Sequence, residues 1–319
     1  MVPSYQLESN LAEKQIEADV AAYFGRLSPF FGKSLRVLNV NEQITGADKQ
    51  HKTKGIAYYF QFKAPIGLKS VASLKIPVKP RKNESKLMGI RRFRDLNGLS
   101  DQPYSVCFAL HDNKPTTPNL LQHNVLFAHE IPPFSRAMYV CPTVLSEEEY
   151  VEAMHVPWWR RPFSQPFYRH EERMLRVASL SQSLSAAPFL RAHATIVPHA
   201  SVASADHYYS FSKHATDYAF HSPTVIDDGD PNRLSDALSK QVESIYSDME
   251  SVPRLEDLAR QIYLAARESQ LDMQINEPIQ GGEIAWLQNY GRKIKSAYGL
   301  RQIILLVDDR LDNDEWLGI

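Results

Sequence analysis

The sequence predicts an α/β protein: a mixed β-sheet flanked by helices, followed by an irregular segment and a mainly helical C-terminal region. Three observations carry that expectation. Within the first 145 residues, apolar periodicity switches repeatedly between the helical and the strand repeat. Residues 146–230 show no sustained period and are rich in His, Tyr, Ser and Pro. From residue 231 onward, apolar stripes at helical spacing return, ending in one strand-like run. The expected segments are therefore 1–145, 146–230 and 231–319.

Residues 11–27 read as a first helix, with Ile16, Val20, Phe24 and Leu27 on one face, Ser9 or Asn10 as cap and Ser28-Pro29 as stop. LRVLNV (35–40) alternates like a strand, and the polar run KQHKTKG reads as a hairpin connection to the aromatic strand IAYYFQFK (56–63). A weak helix is expected over 84–96 and a strand over 103–110. Thr117-Pro118 opens a helix running to about His129, and residues 136–145 close the region as a strand. Further on, Leu234, Leu238, Val242, Ile245 and Met249 form one stripe, a second helix follows Pro253, and a third covers about 283–298. LRQIILLVDD is a terminal strand.

Composition excludes several classes. The chain has 319 residues with 36 Lys+Arg against 37 Asp+Glu, so a nucleic-acid site must be a local patch. Cys107 and Cys141, the 2 cysteines, cannot make a disulfide scaffold or a four-cysteine zinc module, and their apolar surroundings predict buried, reduced thiols. The first ten residues lack a signal-peptide pattern, and no apolar run approaches the ~18 residues that span a bilayer. A cytoplasmic protein without a membrane partner is the expectation.

The chemistry-bearing stretch is NEQITGADKQHKTKGIAYYFQFK, residues 41–63. Gln61 and Lys63 are two apart on a strand and project from one face. If the preceding strand pairs with it, Asp48 joins them. A carboxylate, an amide oxygen and an ammonium would then converge. Magnesium takes hard oxygen ligands, which Asp48, the Gln61 side chain and the Phe62 carbonyl can offer. Lys63 could orient water or stabilise charge on a phosphoryl group.

Gly46-Ala47-Asp48 before a strand carrying Gln61-Phe62-Lys63 resembles the PD-(D/E)xK, restriction-endonuclease-like nucleases, in the variant with Gln for the second acid. The resemblance covers about the first 145 residues. It implies a core of helix, three-strand meander, helix and strand. It also implies a Mg²⁺ or Mn²⁺ cofactor and the catalytic set Asp48, Gln61, Lys63 and Glu17. Glu17 would be an acid on the first helix, with Glu13 almost equivalent, and Glu42 is a further candidate ligand. A neutral Gln61 removes one negative charge and favours weaker metal binding or a single-metal site. The setting implied is restriction or antiphage defence, with a separate ATPase or helicase subunit and a homodimer as possible partners.

Residues 69–94 hold nine Lys or Arg against one Glu. Lys75, Lys79, Arg81, Lys82, Arg91, Arg92 and Arg94 are expected to meet phosphates, which supply sequence-independent, salt-sensitive affinity. Trp158-Trp159-Arg160-Arg161 could stack on bases, although paired tryptophans more often pack. His199, His207, His214 and His221 are spaced seven or eight apart, which matches no zinc motif. There is no nucleophile elbow, no Walker A and no G-x-G-x-x-G. The sequence therefore points to metal-dependent hydrolysis of nucleic acid, with DNA the expected substrate. The alternatives are an inactive nucleic-acid-binding or scaffold subunit and, beyond that, a zinc hydrolase built on the His-rich segment.

Overall fold

The computed structural model describes residues 5–27, 35–39, 52–70, 85–110, 121–154, 188–221, 232–271 and 273–308. Asp48, Glu42, Lys75, Lys79, Arg81, Lys82 and the Trp158–Arg161 run lie outside them. The elements are β1 (Gln6–Leu7), α1 (Glu13–Leu27), β2 (Leu35–Asn39), β3 (Lys52–Phe62), β4 (Ile66–Lys69), α2 (Lys86–Leu96), β5 (Tyr104–Ala109), α3 (Gln122–Ala128), β6 (Ser135–Pro142) and α4 (Glu147–Met154). They continue with α5 (Pro188–Arg191), β7 (His193–Ile196), β8 (Tyr208–Ser212), β9 (Tyr218–His221), β10 (Asn232–Arg233), α6 (Leu234–Ser247), α7 (Leu255–Glu268), α8 (Glu283–Tyr298) and β11 (Arg301–Asp308). The protein is α/β, as the sequence predicts.

A six-stranded sheet in the order β10-β7-β6-β3-β11-β2 forms the centre. It is mixed: β3 and β6 run parallel, and the other pairings are antiparallel. All three segments of the sequence supply strands to it. The terminal strand β11 is inserted between β2 and β3, so those two run parallel and do not touch. This corrects the expected hairpin and meander. The reason lies in β11 itself, an unbroken Ile303–Val307 apolar run that must be covered on both faces. A position between two strands supplies partners along both backbone edges, and helices cover both faces.

Side-chain alternation divides the core. Ile56, Tyr58, Phe60 and Phe62 of β3 face the layer made by α1, α4, α5 and α6. Ala57 and Tyr59 face the other way, toward α3, α7, α8 and a five-stranded antiparallel sheet, β1-β4-β5-β8-β9. Strands β8 and β9 come from the stretch that sequence periodicity leaves irregular. Gly55 is required where β3 passes β11 and α7, because a Cβ there would stand 2.8 Å from the Leu305 carbonyl oxygen. Both cysteines are buried and free. Among the described residues no helix is long and apolar enough to cross a membrane.

Candidate functional site

Gln61 and Lys63 share the face of β3 that carries Ala57 and Tyr59, at the strand's C-terminal end beside the parallel strand β6. The Lys63 amide donates to the Val140 carbonyl at 3.0 Å, continuing the ladder past the last strand residue. Both side chains are covered, Lys63 at 1% exposure and Gln61 at 5%. The Lys63 Nζ donates to Gln122 Oε1 at 3.3 Å and stands 5.8 Å from the centre of the Tyr139 ring. Burial pushes its ammonium down to about 8, and the nearby Glu13 carboxylate opposes that shift.

Gln61 turns its Nε2 to the Phe62 carbonyl at 3.1 Å. Its Oε1 is buried and meets no donor among the described residues. An orphaned buried acceptor is costly and calls for a partner. Phe62, expected as a carbonyl ligand, thus has its oxygen engaged by the neighbouring amide.

Helix α1 brings one acid to this place. Glu13, in its first turn, accepts from the Ala64 amide at 3.4 Å, next to Lys63. Glu17, the acid favoured from the sequence, lies one turn further on. Its carboxylate pairs with Lys295 at 2.6 Å and Arg301 at 3.1 Å. The structure therefore brings Glu13 near Lys63, which shares a strand face with Gln61, and places Glu17 in a cationic clamp that joins α1 to α8 and β11.

Strand β2 ends at Asn39, which pairs with Ile303, itself opposite Tyr58. Strand β2 thus ends about 10 Å short of the level of Gln61, and Glu42 and Asp48 lie outside the described residues.

Sequence reasoning missed the residues that hold Lys63. Gln122 is fixed at both ends of its amide, since its Nε2 donates to the Tyr298 carbonyl at 2.6 Å. His123 meets the Tyr139 hydroxyl through Nδ1 at 2.7 Å and the Ala200 carbonyl through Nε2 at 2.7 Å. Burial lowers His123 to about 4, and the nearby His199, His207 and Lys63 push in the same direction. A signal existed: Gln122 and His129 interrupt the apolar face of a short helix that holds Val125 and Leu126.

The basic segment behaves differently from a solvated face. Arg91 is 2% exposed and donates to the Lys69 carbonyl at 2.6 Å and to the Ser70 carbonyl. Arg94 is 1% exposed and pairs with Asp217, the Ser100 carbonyl at 2.6 Å and Ser210 Oγ at 3.1 Å. These two guanidiniums fasten α2 to the five-stranded sheet, whereas Arg92 is half-exposed. Lys86 pairs with Asp206.

The histidines of the middle segment meet hydroxyls and aromatic rings, with His199 and His207 packed on the same Phe220 ring. His199 Nδ1 meets Tyr209 Oη at 3.0 Å, His221 Nε2 meets Ser210 Oγ at 2.7 Å, and His207 packs 5.3 Å from the Phe220 ring centre. His214 offers its carbonyl to Arg233 at 2.8 Å. Among the described residues no group of three or more His, Cys, Asp or Glu is gathered to hold a metal ion. No protein-family model, no curated protein and no solved structure matches this chain.

Proposed function

We propose that the chain is a metal-dependent nuclease whose site lies at the C-terminal end of β3, in a restriction-endonuclease-like setting. The observation that carries this reading is the meeting of three groups. Gln61 Oε1 is a buried acceptor without a donor among the described residues, Lys63 is a covered ammonium on the same strand face, and Glu13 holds the adjacent Ala64 amide. An amide oxygen and a carboxylate are hard donors suited to Mg²⁺ or Mn²⁺, and Asp48 is the expected third ligand. When bound, such an ion supplies Lewis-acid polarisation of a phosphoryl oxygen and acidifies water.

The chain's own residues do the rest. Glu13 replaces Glu17 as the helix acid, because Glu17 is neutralised by two cations. Gln122 fixes the Lys63 ammonium, which stabilises charge developing on the phosphate. With a pKa near 8, Lys63 is also able to exchange a proton close to neutrality. DNA is the favoured substrate, and half-exposed Arg92 together with Lys75, Lys79, Arg81 and Lys82 is the proposed phosphate-contacting set. A homodimer, a separate ATPase or helicase subunit and a role in antiphage defence belong to the same reading by analogy alone.

A second reading, an inactive nucleic-acid-binding or scaffold subunit, is favoured by one specific fact: Lys63 is 1% exposed. Cleavage of supercoiled plasmid and single-stranded DNA with Mg²⁺ or Mn²⁺ separates the two. The comparison is wild type against Asp48→Ala, Glu13→Gln and the size-conserving Lys63→Met, each checked for folding. Metal-dependent nicking lost in all three supports the nuclease. Nicking that survives all three overturns it. Salt-sensitive DNA binding without nicking in the wild type establishes the binding subunit instead.

A further inference from the structure

A groove lies between α8 and the 275–282 stretch before it, and Tyr290 in its lining packs edge-on against Tyr59 of β3 at 6.4 Å. Its volume is about 340 Å³, and Ile275, Ile279, Trp286, Asn289, Tyr290 and Lys293 are among the residues that line it. That is the small end of the range for ligand pockets, which suits a single planar ring. An amphipathic helix would need a longer groove with anchors spread over two turns.

The tryptophan is held rigidly. Tyr290 stacks along it at 5.3 Å and 10°, Tyr263 meets it edge-on at 6.4 Å, and its Nε1 donates to the Asn276 carbonyl at 2.7 Å. A pinned aromatic plane facing a small cavity is a stacking surface whose ordering cost is already met. The apolar Ile279 at its rim is 77% exposed. The surrounding polar groups are those that a nucleotide uses. Lys293 lines the groove and donates to the Gln274 carbonyl, and outside the lining Arg267 lies 5.8 Å over the ring of Tyr263, the residue that meets Trp286 edge-on. The Glu277 carboxylate and the Asn289 amide are exposed on the lining. Carboxylate and amide side chains are the groups that pair with the exocyclic amine of cytosine or adenine.

We infer that this groove holds one amino-bearing nucleobase of a single-stranded nucleic acid, stacked on Trp286, with Lys293 and Arg267 beside its phosphates. The inference rests on the nucleic-acid reading above and adds to it a base-reading site. One helix links the two places, since the C-terminal end of α8 supplies the Tyr298 carbonyl that anchors Gln122. Along α8, Trp286 and Tyr298 are about 18 Å apart. That is the rise of about five stacked nucleotides.

The test uses the full chain in EDTA and labelled 12-mers: oligo-deoxyadenylate, oligo-thymidylate and an abasic strand of equal length, by fluorescence anisotropy. The wild type should bind the adenine strand about 5- to 100-fold more tightly than the abasic one. Trp286→Ala should bring that ratio to within about twofold, and Glu277→Gln should narrow the adenine–thymine difference; the first is checked by its urea midpoint. Asn289→Ala, an exposed change that removes the amide, should lower the ratio of adenine to abasic affinity even if Trp286→Ala fails to fold. Equal affinity of the wild type for adenine and abasic strands overturns the inference, as does a ratio that Trp286→Ala and Asn289→Ala leave untouched. Ile279-dependent self-association without base preference would make the groove a protein contact. Lys63-dependent cleavage without base preference sinks the groove alone. Base preference without any metal-dependent cleavage sinks only the nuclease.

Discussion

Glu13 and Glu17 stand one turn apart on α1, but their carboxylates have different partners. Glu13 reaches the Ala64 amide at the end of β3, and Glu17 is clamped by Lys295 and Arg301. Residues four apart share a helix face, so the sequence makes the pair nearly equivalent. The strand end and the helix α8 break the tie.

The pair predicts a separation of effects. Glu13→Gln should abolish metal-dependent cleavage while its amide oxygen keeps the Ala64 hydrogen bond. Glu17→Gln should leave cleavage largely intact but cost about 3 kcal/mol, since it takes a charged partner from Arg301, which is buried. Cleavage rates and urea midpoints of the two variants check this, and the reverse pattern would restore Glu17 to the site.

Lys63 predicts a pH dependence. Its folded pKa is about 8 against an ordinary 10.5, so between those values the unfolded chain binds more protons. Stability should therefore rise with pH across that window, by about 1.4 kcal/mol per pH unit from this group. Lys63→Met lacks the contribution. Wild type should gain about 3 kcal/mol on the variant between pH 7.5 and 10.5, read as the difference of their unfolding free energies.

Buried histidines predict acid lability. Burial holds His123, His129 and His193 each at about 4, down from 6.5. Their pKa values are lowered, so the unfolded state takes up protons first as pH falls through 6.5. Stability should drop from there toward pH 4, by about 1.4 kcal/mol per pH unit for each histidine. Urea midpoints at pH 7, 6 and 5 should fall by growing steps, and a flat profile would contradict the burial.

The turn after α8 predicts a structural coupling to Lys63. Gly299 has φ of 70°, and a Cβ there would stand 3.3 Å from Gln122 Nε2. Gly299→Ala should cost about 1 kcal/mol or more from the backbone alone. Gln122→Leu should cost about 2 kcal/mol, because the Lys63 ammonium loses an acceptor and the Tyr298 carbonyl a donor. Thermal denaturation measures both.

Much of the fold was legible because it is local. The stripe Leu234, Leu238, Val242, Ile245 is buried on α6, and the predicted helix over 283–298 coincides with α8. Gln61 and Lys63 share a strand face for the same reason: alternation needs no knowledge of neighbours. The basic run was less legible. A count of charges over 69–94 cannot tell Arg92 from Arg91 and Arg94, whose stems and guanidiniums fill the space under α2.

Local periodicity alone thus assigned this chain its longer helices, the strands β2, β3, β5, β6 and β11 but not the other six described, and the face shared by Gln61 and Lys63. Tertiary structure alone decided that β11 divides β2 from β3, that Glu13 rather than Glu17 reaches the strand end, and that Gln122 holds Lys63. The physical reason is range. Helix and strand repeats are written within a dozen residues, whereas β11 pairs with residues about 240 to 270 positions earlier, through backbone groups that every residue carries. Such pairing is selected by what the whole sheet can bury.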